Sequence, residues 1–226
     1  MTIINRNVVI ECPECKGKML RTDYVSGNDL GATRWSNGNG AGPMRMSADA
    51  LFRCAHCQAL FWIADAIEVG RTEPDQINWL DEDPASDLFH PEWKSLPSPN
   101  DVIDSACFYE AIRQLPAGSP PWKEEYARTW IWWYEDQPTH RALFDRNKAI
   151  ATEHSRDEEN LLRLLEMVDA TSDPGRMRKA SILIALSRFK EAIEVLDSIA
   201  QENLFHIRDQ LREAAVNVRS EVFRLR

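Results

Sequence analysis

Four cysteines in two pairs carry most of the chemistry in this sequence. Cys12-Pro-Glu-Cys15 and Cys54-Ala-His-Cys57 each set two thiols at i and i+3, the spacing of a tight turn. In such a turn backbone amides point at the sulfurs and help to keep them ionised. Four such sulfurs complete a tetrahedral shell around one zinc ion and leave no position for water, the mark of a structural site. The spacing therefore predicts one structural Zn2+ held by Cys12, Cys15, Cys54 and Cys57. Two other readings use the same residues: iron, because ligand type alone does not separate the metals, and buried or redox-active thiols without metal. His56 sits between two ligands and is expected at the surface or behind them, because Cys57 already fills the slot. Cys107 falls on an apolar helical face and reads as a small buried hydrophobe. Five cysteines, four of them in C-x-x-C pairs, are a poor match to a secreted disulfide framework.

Apolar runs flank both pairs. Val8-Val9-Ile10 leads into the first, and Met19 to Val25 leads out. Leu51-Phe52-Arg53 enters the second, and Leu60-Phe61-Trp62-Ile63 leaves it. The pattern predicts strand, knuckle, strand, twice. It resembles the zinc-ribbon (rubredoxin-like knuckle) superfamily over residues 8–67, which implies a small antiparallel sheet with zinc on the four cysteines. The sequence departs from that family in two ways. Between Cys15 and Cys54 lie 38 residues, where about 15–20 are usual. Gly17 follows Lys16 and does not directly follow the second cysteine. Long inserts are tolerated because loop-closure cost grows slowly with length.

The insert, Ser26 to Pro43, has five of the nine glycines and two hairpin-turn signals, Asn37-Gly38 and Asn39-Gly40. It reads either as a binding loop presenting Arg34 and Trp35, or as a long hairpin whose Trp35 packs over the small zinc core. The second is favoured because a small ribbon needs apolar cover. Its glycines lead to Pro43 and not into a helix, which excludes a dinucleotide fingerprint or a P-loop.

Charge divides the chain further. The net charge is −9, yet residues 1–70 are neutral, 71–106 carry −7 and 107–226 carry −2. The middle stretch holds Pro74, Pro84, Pro91, Pro97 and Pro99, too closely spaced for a long helix. It also holds Ile77, Trp79, Leu88, Phe89 and Trp93, so it is expected to pack along a neighbour. Three parts follow: a ribbon at 1–70, an acidic Pro-rich connector at 71–100, and a helical domain at 101–226.

The last part has helical periodicity throughout. Ile103, Cys107, Ala111, Ile112 and Leu115 share one face before Pro116. After Pro120-Pro121, the residues Trp122, Tyr126, Trp130 and Trp133 form an aromatic stripe, expected to be core, with an interface or ligand cage as the alternative. A surface helix is expected at 139–153. Ser155 to Glu158 is a capping-box pattern that opens a Leu-rich helix. Asp173-Pro174 starts another, and Leu204 to Val222 marks the last.

Residues 176–200 resemble one tetratricopeptide-like repeat: Ile182 to Leu186, then Ser187-Arg188-Phe189, then Ala192 and Leu196. Phe189 stands at the family's aromatic position and Ala192 at its tight-packing one, with Ser187 where the family prefers Gly. No second full copy recurs at 34 residues. The resemblance implies a protein- or peptide-binding groove in an antiparallel array of six or seven helices. The expected fold class is thus α+β, a small antiparallel β ribbon followed by an all-α array. The joined layout resembles uncharacterised bacterial proteins, which suggests architecture without an activity.

No catalytic motif stands out, and four thiolates leave a zinc ion no site for catalytic water. The expectation is a cytoplasmic interaction or adaptor protein with a protein partner. The alternative is a nucleic-acid-associated ribbon, for which Arg21, Arg34, Arg45 and Arg53 are available. A third reading is an enzyme with a pocket near Trp122–Trp133. The longest apolar stretch, Ala59 to Ala64, is far short of the about 20 residues a membrane helix needs, and the N-terminus has no signal-peptide pattern.

Overall fold

The computed structural model describes residues 3–4, 7–22, 24–26, 33–41, 50–72, 91–101, 104–136 and 157–225. The chain divides into two compact units. One comprises Met1–Ala32 and Gly42–Ile103, the other Thr33–Ala41 and Asp104–Arg226. Small antiparallel sheets and helices make the fold α+β, as the sequence predicts.

The described strands are β1 (Ile3–Ile4), β2 (Val8–Glu11), β3 (Lys18–Arg21), β4 (Tyr24–Ser26), β5 (Thr33–Arg34), β6 (Gly40–Ala41), β7 (Leu51–Arg53), β8 (Leu60–Trp62), β9 (Ile67–Arg71) and β10 (Asn100–Asp101). Two three-stranded sheets dominate the first unit, with orders β3-β2-β9 and β10-β7-β8. The strand that enters each cysteine pair is the central one. β2 pairs β3 from Val8↔Arg21 to Glu11↔Lys18, and β7 pairs β8 from Leu51↔Trp62 to Arg53↔Leu60. A central strand covered on both faces reads as an unbroken apolar run, and Val8, Val9 and Ile10 are all buried.

Val8, Ile10, Met19, Phe52 and Phe61 form one core cluster with Cys12 and Cys54. The cysteine site is therefore continuous with the core of its unit. The third strand of each sheet was not anticipated: β9 pairs β2 and β10 pairs β7. β10 lies at the end of the expected connector. Trp93 is buried there, and a Cβ on Gly70 would stand 2.4 Å from its ring. Leu20 donates its N–H to the Pro97 carbonyl. Residues 91–101 thus belong with the metal-binding unit, held by Trp93. Residues 73–90 of the connector lie outside the described set.

Six α-helices are described: α1 (Ser105–Arg113), α2 (Pro121–Asp136), α3 (Glu158–Met167), α4 (Asp173–Ala185), α5 (Phe189–Asp197) and α6 (Phe205–Val216). Side chains cap three of them. Asp104 accepts from the Cys107 N–H, Asp157 from Asn160 and Ser172 from Gly175. The cap of α3 is thus Asp157, not the expected Ser155, which lies outside the described residues as does the helix expected at 139–153.

The apolar faces differ from the expectation in register. On α1, Phe108 and Ala111 are buried, whereas Cys107 is only half-buried. On α2 the buried positions are Lys123, Ala127, Thr129, Ile131 and Trp132, so the aromatic stripe flanks the core and does not fill it. Trp122 is 42% exposed. Tyr126, Trp130 and Trp133 are half-buried. Tyr126 and Trp130 gain cover from Phe108, which stacks on Trp130 at 5.8 Å with the rings 1° from parallel, while Trp133 meets Trp130 edge-on at 5.3 Å. Offset and edge-on contacts satisfy the ring quadrupoles without full burial.

Helices α4 and α5 form a hairpin around Ala180, Leu183, Ile184, Ala192 and Leu196. Ala192 is fully buried, and Phe189 packs at the edge of the cluster. The turn between them closes with Arg188 N–H on the Leu183 carbonyl at 2.8 Å, and Ser187 takes the left-handed conformation at φ 59°. That geometry is the reason glycine is favoured at this position. The last helix is shorter than its periodicity suggests. Arg219 N–H closes onto the Ala214 carbonyl at 2.9 Å, and Val218 sits at φ 56°.

Candidate metal centre

The two knuckles are built alike. In the first, Cys12 N–H donates to Gly17 O (3.1 Å) and Lys16 N–H to Cys12 O (3.0 Å). In the second, Cys54 N–H donates to Ala59 O (2.9 Å) and Gln58 N–H to Cys54 O (3.0 Å). The residue after each second cysteine is left-handed, Lys16 at φ 59° and Gln58 at φ 62°. Both side chains turn back onto the knuckle. Lys16 Nζ donates to Pro13 O at 2.8 Å and Gln58 Nε2 to Ala55 O at 3.3 Å. These bonds offset the strain of long polar residues standing where glycine would be unstrained.

Amides converge on the sulfurs in the same repeated pattern. Cys12 accepts from Glu14 and Cys15, and Cys54 from His56 and Cys57. Cys15 accepts from Gly17 and Cys57 from Ala59. Burial pushes the Cys12 thiol up, against these N–H groups. Burial would also raise Cys54, but the N–H groups of Cys57 and His56 and the neighbouring thiols hold it at about 7. The Ala59 N–H favours a Cys57 thiolate, yet desolvation and the three other sulfurs push that thiol up to about 12. Four sulfurs this close do not all ionise unaided. A metal ion held by Cys12, Cys15, Cys54 and Cys57 would supply the missing charge.

The sulfur positions fit such an ion. Cys12 and Cys57 Sγ are 3.9 Å apart, and Cys15 and Cys54 Sγ 3.7 Å. All four lie within 4.8 Å of one another. A regular tetrahedron with metal–sulfur bonds of about 2.3 Å has edges of about 3.8 Å. The four expected ligands are thus brought together and placed to bind one metal ion. Cys12 and Cys54 are buried, Cys15 and Cys57 exposed.

Contacts between the knuckles hold this geometry. Met19 is buried and its sulfur accepts the Ala55 N–H at 3.4 Å. His56 Nε2 donates to the Lys18 carbonyl at 2.9 Å. His56 is therefore an exposed residue beside the ligands, as expected. Neither bridge was found from sequence. The only signal for the His56 contact was the displaced Gly17.

The other candidate residues lie in the second unit. Arg34 is exposed and its carbonyl accepts the Leu225 N–H, while Trp35 bridges Arg224. The expectation that Trp35 covers the zinc core is corrected, because Thr33–Ala41 groups with the helices. Its backbone groups find their partners there, on Trp133 and the C-terminal tail. A cavity of about 310 Å³ lies at the turn between α1 and α2, lined by Ile112, Leu115, Pro116, Pro120 and Glu124. Its acid is engaged, since Arg128 and Arg163 reach Glu124 at 2.8 and 3.1 Å and hold its carboxyl below the usual range.

No protein-family model, curated protein or solved structure matches the chain.

Proposed function

We propose that the chain is an intracellular protein-interaction or adaptor protein whose single zinc ion is structural. The observation that carries this reading is the closed set of four sulfurs, two of them buried in the core cluster. A four-thiolate zinc site has no open position, so the ion organises the fold and the task falls to the protein surface. Thiolate ligands suit soft metals, zinc and iron among them, and a reducing compartment keeps the four thiols available to bind one. The resemblances to a zinc ribbon and to a tetratricopeptide-like hairpin support the same assignment. Trp122, a large aromatic left exposed on α2, is the kind of side chain that anchors partners.

The test is affinity capture by the intact protein and by Trp122→Ala. The reading expects a stoichiometric protein partner that the variant loses while its melting behaviour is unchanged. Retention of nucleic acid at low salt, released as salt is raised, would replace it with the nucleic-acid reading.

A further inference from the structure

The segment Thr33–Ala41 lies between the two knuckles in sequence but is part of the helical unit. It folds back on itself through Trp35 N–H to Asn39 O and Gly38 N–H to Trp35 O, both 2.9 Å. Four further bonds hold it in place. Trp133 Nε1 donates to Asn37 O at 3.1 Å, and Ser36 N–H to Phe223 O at 2.9 Å. Phe223 N–H donates to Ser36 Oγ at 3.0 Å, and Leu225 N–H to Arg34 O at 2.9 Å. Three of the four use the C-terminal tail.

The seat is a poor one. Trp35 Nε1, Asn37 Nδ2 and Asn39 Nδ2 are buried without a hydrogen-bond partner, and among the described residues no other buried side-chain nitrogen or oxygen is in that position. Asn37 and Asn39 are only 3% and 5% exposed. A buried donor left unpaired loses its water and gains nothing in return, so docking works against itself at three points. Beneath Asn37 is a cavity of about 10 Å³ whose lining includes Ser36, Trp132, Ser181, Leu211 and Glu221. The tail that clasps the segment leaves α6 through Val218 at φ 56°, a conformation a β-branched residue rarely adopts. The α4–α5 core, in contrast, is apolar.

We infer that Thr33–Ala41 is a releasable strap. Segment and tail come away together while α4 and α5 stay folded, hydrating the three donors and uncovering the surface at Trp132, Ser181 and Leu211.

Residue-resolved hydrogen exchange on the full chain tests this. The amides of Ser36, Phe223 and Leu225 should exchange at one common rate, at least about tenfold faster than those of Leu183 and Ile184, and low urea should hardly speed them. Ser36→Ala, which removes the acceptor of Phe223 N–H, should speed only the strap and tail. Trp133→Phe, which removes the donor to Asn37, gives the same reading if Ser36→Ala does not fold. Equal rates and equal urea dependence for strap and α4 would overturn the inference. So would variants that leave strap exchange unchanged, or that speed both sets alike.

Discussion

The imidazole of His56 lies across Gly17 so closely that a Cβ there would stand 2.4 Å from its Cδ2 and 3.2 Å from Cys15 Sγ. One knuckle thus closes over the other. The missing side chain at Gly17 lets His56 reach the Lys18 carbonyl and keeps Cys15 in register with the other sulfurs.

Gly17→Ala should therefore displace the ring and loosen the site. Its metal affinity is expected to fall about tenfold, the usual effect of disturbing groups behind the ligands. Competition with a chromophoric chelator measures it. His56→Ala in the same chain should restore part of the loss by removing the clash. A Gly17→Ala protein that binds metal like the parent would show that the contact does not matter.

Cys12→Ser and Cys54→Ser remove buried ligands from a site continuous with the core. Each should lower metal affinity by more than about 100-fold, exceeding an effect from behind the ligands. Each should also unfold the first unit ahead of the second. In hydrogen exchange, β2 and β7 should lose protection while α4 and α5 keep theirs. Cys107→Ser should keep the metal.

Two helix ends carry left-handed residues that glycine would relieve. Ser187→Gly should stabilise the helical unit by about 0.5–1 kcal/mol, and Val218→Gly by about 1 kcal/mol. Relief of the left-handed strain exceeds the entropy that glycine adds to the unfolded chain. Urea denaturation gives both values. A loss of stability in either variant would show that the side chain makes a contact worth more than the strain.

Glu135 gives the helical unit a pH-dependent contribution to stability. Tyr109 Oη donates to Glu135 Oε1 at 3.3 Å and also to the Asp157 carboxylate, and Asp157 N–H donates to Glu135 Oε2 at 3.3 Å. Burial pushes the Glu135 carboxyl above its ordinary value. The Asp157 N–H partly opposes this, and the Asp157 charge adds to it. An acid with a raised folded value contributes stability below its unfolded value of about 4.3 and loses it as pH rises through the folded one. The Glu135 contribution should therefore decline across that window, and Glu135→Gln should lack that decline. The difference between variant and parent should grow in the variant's favour as pH rises. A difference that is constant with pH contradicts the assignment.

The metal ligands were legible because their chemistry is local: two residues per turn, flanked by strands that the apolar pattern also marks. The helix hairpin at Ser187 was legible for the same reason. What the sequence concealed depends on distant pairing. Nothing near Asn100 signals that it joins β7, and nothing near Trp93 signals the Gly70 that receives it. The stripe from Trp122 to Trp133 has helical spacing, but periodicity does not say which face meets a neighbour. The face that meets a neighbour carries Ala127, Ile131 and Trp132 together with Lys123 and Thr129. The place of Trp35 was not legible because its bridge partner, Arg224, lies far along the chain, as does Trp133, which donates to the neighbouring Asn37.

The central claim is that the four cysteines hold one zinc ion with no other ligand. Metal analysis combined with X-ray absorption at the zinc edge tests it most directly. The account predicts about one zinc per chain, surrounded by four sulfurs at about 2.3 Å. A nitrogen or oxygen neighbour in that shell, a different metal, or protein that folds fully without metal would contradict it.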